Sequence, residues 1–287
     1  MPGRRSPVTC PCPSRPADHR GIVTGWAGLL AQVVFTAGWL TAGAWQPPGY
    51  SPVKDSISDL MARTAPHALV PLVTLMLAGA GTAVFALAGL RPALAAAGRI
   101  AVYAPWFLGF SALGLGNLLS FAQIPCQAGV GCTLHQAMSG FGGTVDATAG
   151  SIVAVMVVVT PFPMARRMRG VAGWQQLARP SLLAGAAMFA CLVAMGLGTS
   201  PVLGLAERAG ATIGAIWAAA LAANLIRVSR GAQAGLDSQR GPSSFLPAQM
   251  PHADVQKAHI AQGYGRRSSH ESSHGSPAES RRMRHSE

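Results

Sequence analysis

Six long apolar runs constrain the fold of this chain more than any other feature of its sequence. Each is about 20 residues long, the length that an α-helix needs to cross the hydrocarbon core of a bilayer. No run contains Lys or Arg, and only the fourth contains an acid. Because backbone polar groups in lipid must be satisfied within the segment, the runs predict an all-α, polytopic membrane protein. They cover roughly residues 22–45, 67–90, 100–122, 136–160, 181–199 and 209–226.

The composition supports this fold class. Only 11% of the 287 residues are charged, compared with about 25% in soluble domains. The net charge of +12 comes mainly from arginines at the termini and in short connections. A nucleic-acid-binding protein would gather such residues on one folded basic face. Here they flank apolar runs, so the expected partner is the lipid bilayer and not nucleic acid.

The arginines also predict the orientation. They concentrate before the first run, in the second and fourth connections and after the sixth run, whereas the other connections carry only Lys54, Arg63 and Arg208. The positive-inside rule therefore predicts that both termini are cytoplasmic and that the first, third and fifth connections lie outside. We expect a multi-pass protein of the cell (plasma) membrane. The excess of arginine over lysine is typical of a GC-rich bacterial genome.

Three segments follow from these patterns. Residues 1–20 form a basic, disordered cytoplasmic N-terminus, and residues 21–230 form the six-helix transmembrane domain. Residues 231–287 are rich in Ser, Arg, His, Gly and Gln and have almost no aromatic or β-branched residues. Such a segment cannot bury enough apolar surface to offset its ordering entropy, which predicts a disordered cytoplasmic tail.

The first outer connection contains the stretch YSPVKDSISDL, residues 50–60. Ser51 suits an N-cap and Pro52 the first helical position, which predicts a short amphipathic helix to about residue 63 on the outer surface. Asp55 and Asp59 would lie on its polar face. Like charges at this spacing cost roughly 0.2–0.5 kcal/mol. Either both face water, with Asp59 paired to Arg63, or a cation or His67 relieves the repulsion.

Two cysteines lie in the third connection, which is also predicted to be outside. Cys126 and Cys132 enclose a short glycine-containing loop. Disulfides form and persist in oxidising compartments outside the cytoplasm. We expect a disulfide between them, because a zinc site would have only His135 nearby as a further ligand.

The fourth run carries a polar stripe that points to a site. At 100° per residue one face of a continuous helix would present His135, Ser139, Gly142, Asp146 and Ala149. Asp146 would then lie about 16 Å deeper than His135. A carboxyl group within the membrane usually faces the bundle interior. It would be protonated or hydrogen-bonded to groups such as Ser111 and Asn117, either as a functional group or as a contact between helices.

Sequence motifs of common soluble enzymes are absent. The chain has no Walker loop, no GxSxG and no HExxH, and no GxGxxG fingerprint follows a strand. Most soluble enzyme classes are therefore excluded.

The stretch in the first connection resembles a family of polytopic membrane proteins of bacteria and archaea, domain of unknown function 998 (DUF998). The resemblance covers about residues 22–228 and implies six spans but no established activity. It favours Asp59 and His67 over Asp55 as site residues. Its matching residues are Tyr50, Ser51, Pro52, Ile57, Ser58, Asp59, Leu60, Pro66 and His67, with His135 at the start of the fourth run.

These observations lead to one main hypothesis and two alternatives. The main hypothesis is a membrane protein with an outward-facing polar pocket that binds a lipid-like or small ligand or a membrane partner, with no cofactor. One alternative is a metal-dependent hydrolase in which Asp59, His67 and His135 hold zinc and an activated water. The other is a proton-coupled transporter with Asp146 as the carrier. The predicted polar site comprises Asp59, His67, His135, Asp146, Asn117 and Ser139.

Overall fold

The computed structural model describes residues 19–95, 103–127, 130–196 and 201–239. The described part is helical and contains no strand. Residues 1–18 and 240–287 lie outside the described residues, so the predictions for them stay predictions. The sequence assigns residues 19–20 and 231–239 to the disordered ends, but they are helical and belong to the first and last helices.

Six helices in the described part are long and apolar enough to cross a membrane, as predicted. The fourth helix starts later than predicted, and the sixth starts earlier and takes in Glu207 and Arg208. The helices are α1 His19–Ala44, α2 Leu69–Leu94, α3 Tyr103–Phe121, α4 Gly140–Met168, α5 Gln175–Gly196 and α6 Leu203–Gln239.

Helix α1 packs against both α2 and α6. Close approach is possible because glycines lie at the contacts. A Cβ added at Gly28 would lie 2.5 Å from the Phe85 ring on α2, and one at Gly25 would lie 2.5 Å from Ile226 on α6. Small residues at such contacts let backbones approach closely in membranes, where dispersion and packing drive helix association.

The neighbouring helices α3 and α4 are irregular, α3 at mid-length and α4 within its first half, and α2 also has a π-helical turn at Phe85–Leu90. Helix α3 is interrupted at Ser111, which is extended (φ −75°, ψ −179°), and continues through a π-helical turn at Ala112–Gly116. Helix α4 contains a π-helical turn at Asp146–Gly150. Such turns widen or bend a helix and are frequent at functional sites.

The first, third and fifth connections meet at one end of the bundle. We call residues 45–68, 122–127, 130–139 and 201–208 the cap. Within it, Arg63 N donates to the Ile124 carbonyl over 3.1 Å, and Leu205 N donates to the Val53 carbonyl over 3.0 Å. The predicted topology requires these connections to share one side. Which side of the membrane the cap faces stays a prediction.

The predicted amphipathic helix in the first connection is wrong. Residues 51–57 form turns, and only Ser58–Met61 forms a short 3₁₀ helix. Ser51 caps nothing there; its N–H instead donates to the Asp55 carboxylate over 2.6 Å. Leu205 and Arg208 from α6 bind backbone carbonyls that a regular helix would use internally. Tertiary hydrogen bonds thus override local helix propensity.

Candidate functional site

A small cavity lies between the 3₁₀ turn of the first connection, the end of α3 and the π-helical turn of α4. Its volume is about 50 Å³. A cavity needs roughly 10–15 Å³ of such volume to hold one water molecule. A few water-sized groups therefore fit, which favours a small ligand over a lipid-like one. The polar lining residues are Ser58, Ser120, Gln123 and Asp146, and the others are Met61, Gly116, Leu119, Ala122, Ile124, Val145, Gly150 and Val153.

Asp146 is the one acidic residue in that lining. Its side chain interacts with the side chain of Ser58 and lies within electrostatic range of Asp59, and the residue as a whole is exposed. Because α4 begins at Gly140, Asp146 lies roughly 9 Å along the helix at about 1.5 Å per residue. It is therefore nearer to the cap than the sequence predicted.

The π-helical turn gives this part of α4 its irregular path. Thr148 and Ser151 follow Asp146, and their hydroxyls donate to the carbonyls of Thr144 and Ala147, each over 2.6 Å. Hydroxyl bonds of this kind compete with the regular backbone ladder and often bend helices. The turn thus presents Asp146 to the cavity.

Asp59 has a structural role beside the cavity. One carboxylate oxygen accepts hydrogen bonds from the backbone N–H and the hydroxyl of Ser56, each over 2.9 Å. The side chain is only 5% exposed. Asp59 therefore fixes the turn that carries Ser58, instead of facing water as one interpretation of the sequence had it.

Arg208, near the start of α6, binds residues of the first connection. We call residues 50–61 the strap. The guanidinium donates to the strap carbonyls of Pro52 (2.8 Å) and Asp55 (2.7 Å), to the Gly204 carbonyl (3.0 Å) and to the Tyr50 hydroxyl. Arg208 is 9% exposed, so the buried charge is solvated by the backbone of the strap.

Glu207 binds the middle of the strap. Its carboxylate accepts a hydrogen bond from Ile57 N over 2.9 Å and lies within electrostatic range of Arg208, Asp146 and Asp59. The sequence interpretation missed both Glu207 and Arg208 as site residues because it began the sixth span at residue 209. The available signal was an adjacent acid and base at the edge of an apolar run in a chain with few acids.

Burial also affects Tyr50 at the start of the strap. Burial raises the pKa of Tyr50 to about 12, and the nearby Arg208 charge opposes this rise only in part. The phenol therefore stays neutral at any physiological pH and keeps its hydroxyl as a partner for Arg208.

The predicted metal ligands Asp59, His67 and His135 are not brought together. His67 and His135 are exposed, whereas Asp59 is buried. His67 lies edge-on to Trp45, with ring centroids 5.4 Å apart. Within the described ranges no three His, Cys, Asp or Glu side chains form a group that could hold a metal ion. The hydrolase alternative therefore has no ligand set in this part of the chain.

The predicted stripe on the fourth span is also broken. His135 lies in a separate short helical turn, Leu134–Ala137, and Ser139 is extended (φ −82°, ψ 158°) before α4 begins. The Ser139 hydroxyl donates to the Gln136 carbonyl over 2.6 Å. His135 and Asp146 therefore do not share a continuous helical face.

Asn117 does not line the cavity. Its side-chain amide donates to the Leu113 carbonyl of its own helix over 3.4 Å. Gln123 takes the place that was expected for Asn117: it lines the cavity, and its amide donates to the Met61 carbonyl of the strap over 2.9 Å.

The predicted disulfide is confirmed. Cys126 and Cys132 are bonded in the cap, and Cys191 in α5 is a free thiol. The disulfide closes a short loop just beyond Gln123 and Ile124, two of the cavity residues.

Comparison with known proteins identifies one family. No curated protein and no solved structure matches the chain. The sequence model of a family described as "Protein of unknown function (DUF998)" matches residues 29–224. This range extends from α1 to α6 and contains the strap, the cavity residues and both Glu207 and Arg208. Because the match covers more than half of the 287 residues, the chain belongs to the DUF998 family.

Proposed function

We propose that this protein binds a small ligand in the cavity between the strap, α3 and α4, with Asp146 as the main polar contact. One observation carries the proposal: a carboxyl group within a spanning helix lines a cavity that also presents two hydroxyls and an amide. An ionisable residue within a membrane span is rare and marks a functional-site hypothesis by default.

The lining favours a ligand that donates hydrogen bonds. Carboxylate, hydroxyl and amide oxygens are acceptors, and the nearby Asp59 carboxylate makes the surroundings of Asp146 more negative. Arg208 does not line the cavity, and its guanidinium donates to strap carbonyls and Tyr50. A small cationic or neutral donor such as an amine fits this chemistry.

We further propose that the cap faces the outside of a bacterial plasma membrane. The arginine distribution supports this orientation through the positive-inside rule. The Cys126–Cys132 disulfide in the cap supports it independently, because disulfides persist in oxidising compartments.

Proton-coupled transport is a second candidate, favoured by one observation. The interruption of α3 at Ser111 and the π-helical turn of α4 at Asp146–Gly150 lie in adjacent helices. Discontinuous helices form the substrate and ion sites of many transporters. In proteoliposomes, ligand-driven proton uptake that is lost in Asp146→Asn would favour transport over simple binding.

Thermal unfolding of purified protein tests the binding proposal. Ammonium, methylammonium and ethanolamine serve as probes, with glycerol and acetate as neutral and anionic comparisons. Because a ligand that binds only the folded state stabilises it, at least one amine should raise the Tm of the wild type but not of Asp146→Asn. Asp55→Asn is the matched control and should keep the response, since Asp55 does not line the cavity. An equal Tm rise in Asp146→Asn would contradict the proposal.

A further inference from the structure

We propose that Glu207 and Arg208 are positioning residues for the cavity: they hold the strap in the conformation that sets Ser58 against Asp146. This inference rests on the proposed function, since it concerns the same cavity. It assigns to the start of α6 a role in access to the ligand site.

Apart from the Arg208–Tyr50 contact, the hydrogen bonds described above between α6 and the strap involve strap backbone. Arg208 donates to the carbonyls of Pro52 and Asp55, Leu205 N donates to the carbonyl of Val53, and Glu207 accepts from Ile57 N. Because these hydrogen bonds are made by strap N–H and C=O groups, they hold the strap backbone independently of the conformation of the strap side chains. Hydrogen bonds that involve a charged partner are also stronger than neutral ones.

The strap backbone lies directly on the first turn of α6. A Cβ added at Gly204 would lie 2.2 Å from the Asp55 carbonyl oxygen and 2.8 Å from that of Pro52. A glycine is therefore required for this approach. The same two carbonyls receive the Arg208 guanidinium, so the close contact and the hydrogen bonds act on one short segment.

The far end of the strap is held by different partners. Gln123 donates to the Met61 carbonyl, and Arg63 N just beyond the strap donates to the Ile124 carbonyl. Both partners belong to the segment after α3. If the contacts to α6 are lost while these remain, the strap can swing away from α6 about its Met61 end.

The contacts between α6 and the strap also affect the cavity. Ser58 and Met61 line it, and Ile57, whose N–H binds Glu207, is adjacent to Ser58. Moving Ile57 therefore moves Ser58 away from Asp146 and uncovers the residues opposite, such as Ser120. Glu207 and Arg208 thus act on the ligand site through the strap, without lining the cavity themselves.

Thiol accessibility in the full-length protein tests this role. A cysteine is placed at Ser120 in a background with Cys10, Cys12 and Cys191 changed to serine and the Cys126–Cys132 disulfide retained. The rate of labelling by a membrane-impermeant maleimide is then measured. Arg208→Gln and Glu207→Leu should raise that rate about tenfold or more, because loss of a hydrogen bond to a charged group shifts an opening equilibrium by at least this factor.

Two matched variants separate positioning from general loss of structure. Glu207→Gln keeps an acceptor for Ile57 N and should label much more slowly than Glu207→Leu. Arg227→Gln removes another arginine of α6 that binds a backbone carbonyl, that of Gly173, and should also leave the rate unchanged. If Arg208→Gln fails to reach the membrane, the comparison of Glu207→Leu with Glu207→Gln tests the positioning role by itself.

Equal labelling rates in Glu207→Leu and Glu207→Gln, or a rise in Arg227→Gln as large as in Arg208→Gln, would overturn the inference. The assay uses no ligand. A failure here therefore leaves the amine response and its dependence on Asp146 intact, and loss of that response leaves this result standing.

Discussion

Arg208 donates a hydrogen bond to the hydroxyl of Tyr50, and its guanidinium carbon lies 5.9 Å from the centre of the Tyr50 ring. This pair joins the segment after the first span to the start of the last span. The stretch by which the chain resembles its family thus begins at a residue that contacts α6. The stretch is a tertiary element of the cap and not a surface helix.

We expect Tyr50→Phe to lower the free energy of unfolding by about 1–2 kcal/mol at neutral pH, because Arg208 loses a hydrogen-bond acceptor. This penalty should shrink as the pH rises. The pKa of Tyr50 is raised to about 12 from its ordinary value of 10.0. Its contribution is therefore complete below pH 10.0 and is lost as the pH approaches about 12. Thermal unfolding in detergent across this range measures the effect, and a penalty that grew with pH would contradict it.

Adding a single methyl group at Gly28 should weaken the packing of α1 against α2. Gly28→Ala places a Cβ against the fully buried ring of Phe85 and should destabilise the protein by about 1–3 kcal/mol through overpacking. Gly43→Ala near the end of α1 is the control, since its Cβ would meet nothing within 4 Å. The difference in Tm between the two variants is the measurement. Equal values would mean that α1 and α2 pack differently.

The number of helices was predictable, because a bilayer sets the length of any apolar segment that crosses it. The start of α6 was not. Glu207 and Arg208 appeared to belong to a connection because charged residues rarely begin a span. They are accommodated in α6 because strap backbone groups bind both side chains, and a sequence pattern does not reveal such contacts.

The candidate site was predictable only in part. Asp146 was found because an acid is rare within an apolar run. The prediction that His135 and Asp146 share one helical face assumes 100° per residue along one continuous helix. That assumption fails twice, at the extended Ser139 and at the π-helical turn that starts at Asp146. Ser120 and Gln123 carried no periodic signal, since they line the cavity from an irregular helix end.

Alkylation should distinguish the cysteines in denatured, unreduced protein. Cys191 is free and should react at once, whereas Cys126 and Cys132 should react only after a reductant is added. Mass spectrometry of the labelled peptides reports each site. Immediate labelling of both cap cysteines in protein from intact oxidised cells would show that the disulfide is absent.

The orientation can be tested with reporter fusions. A reporter that is active only in the cytoplasm should work when fused after Arg230, and one that is active only after export should not. Inserted after Pro66 in the cap, the two reporters should behave in the opposite way, because the positive-inside rule predicts that the cap is outside. Activity of the exported reporter after Arg230 would reverse the topology.

The most direct test of the account is whether Asp146 can be reached from outside the cell. With Cys10, Cys12 and Cys191 changed to serine, Asp146→Cys should react with a membrane-impermeant thiol reagent on intact cells, because this position is exposed and lines the cavity proposed to open outward. Asn117→Cys, at a buried position that does not line the cavity, should not react. Reaction of Asp146→Cys only from the cytoplasmic side, or only after the membrane is dissolved, would contradict an outward-facing ligand site.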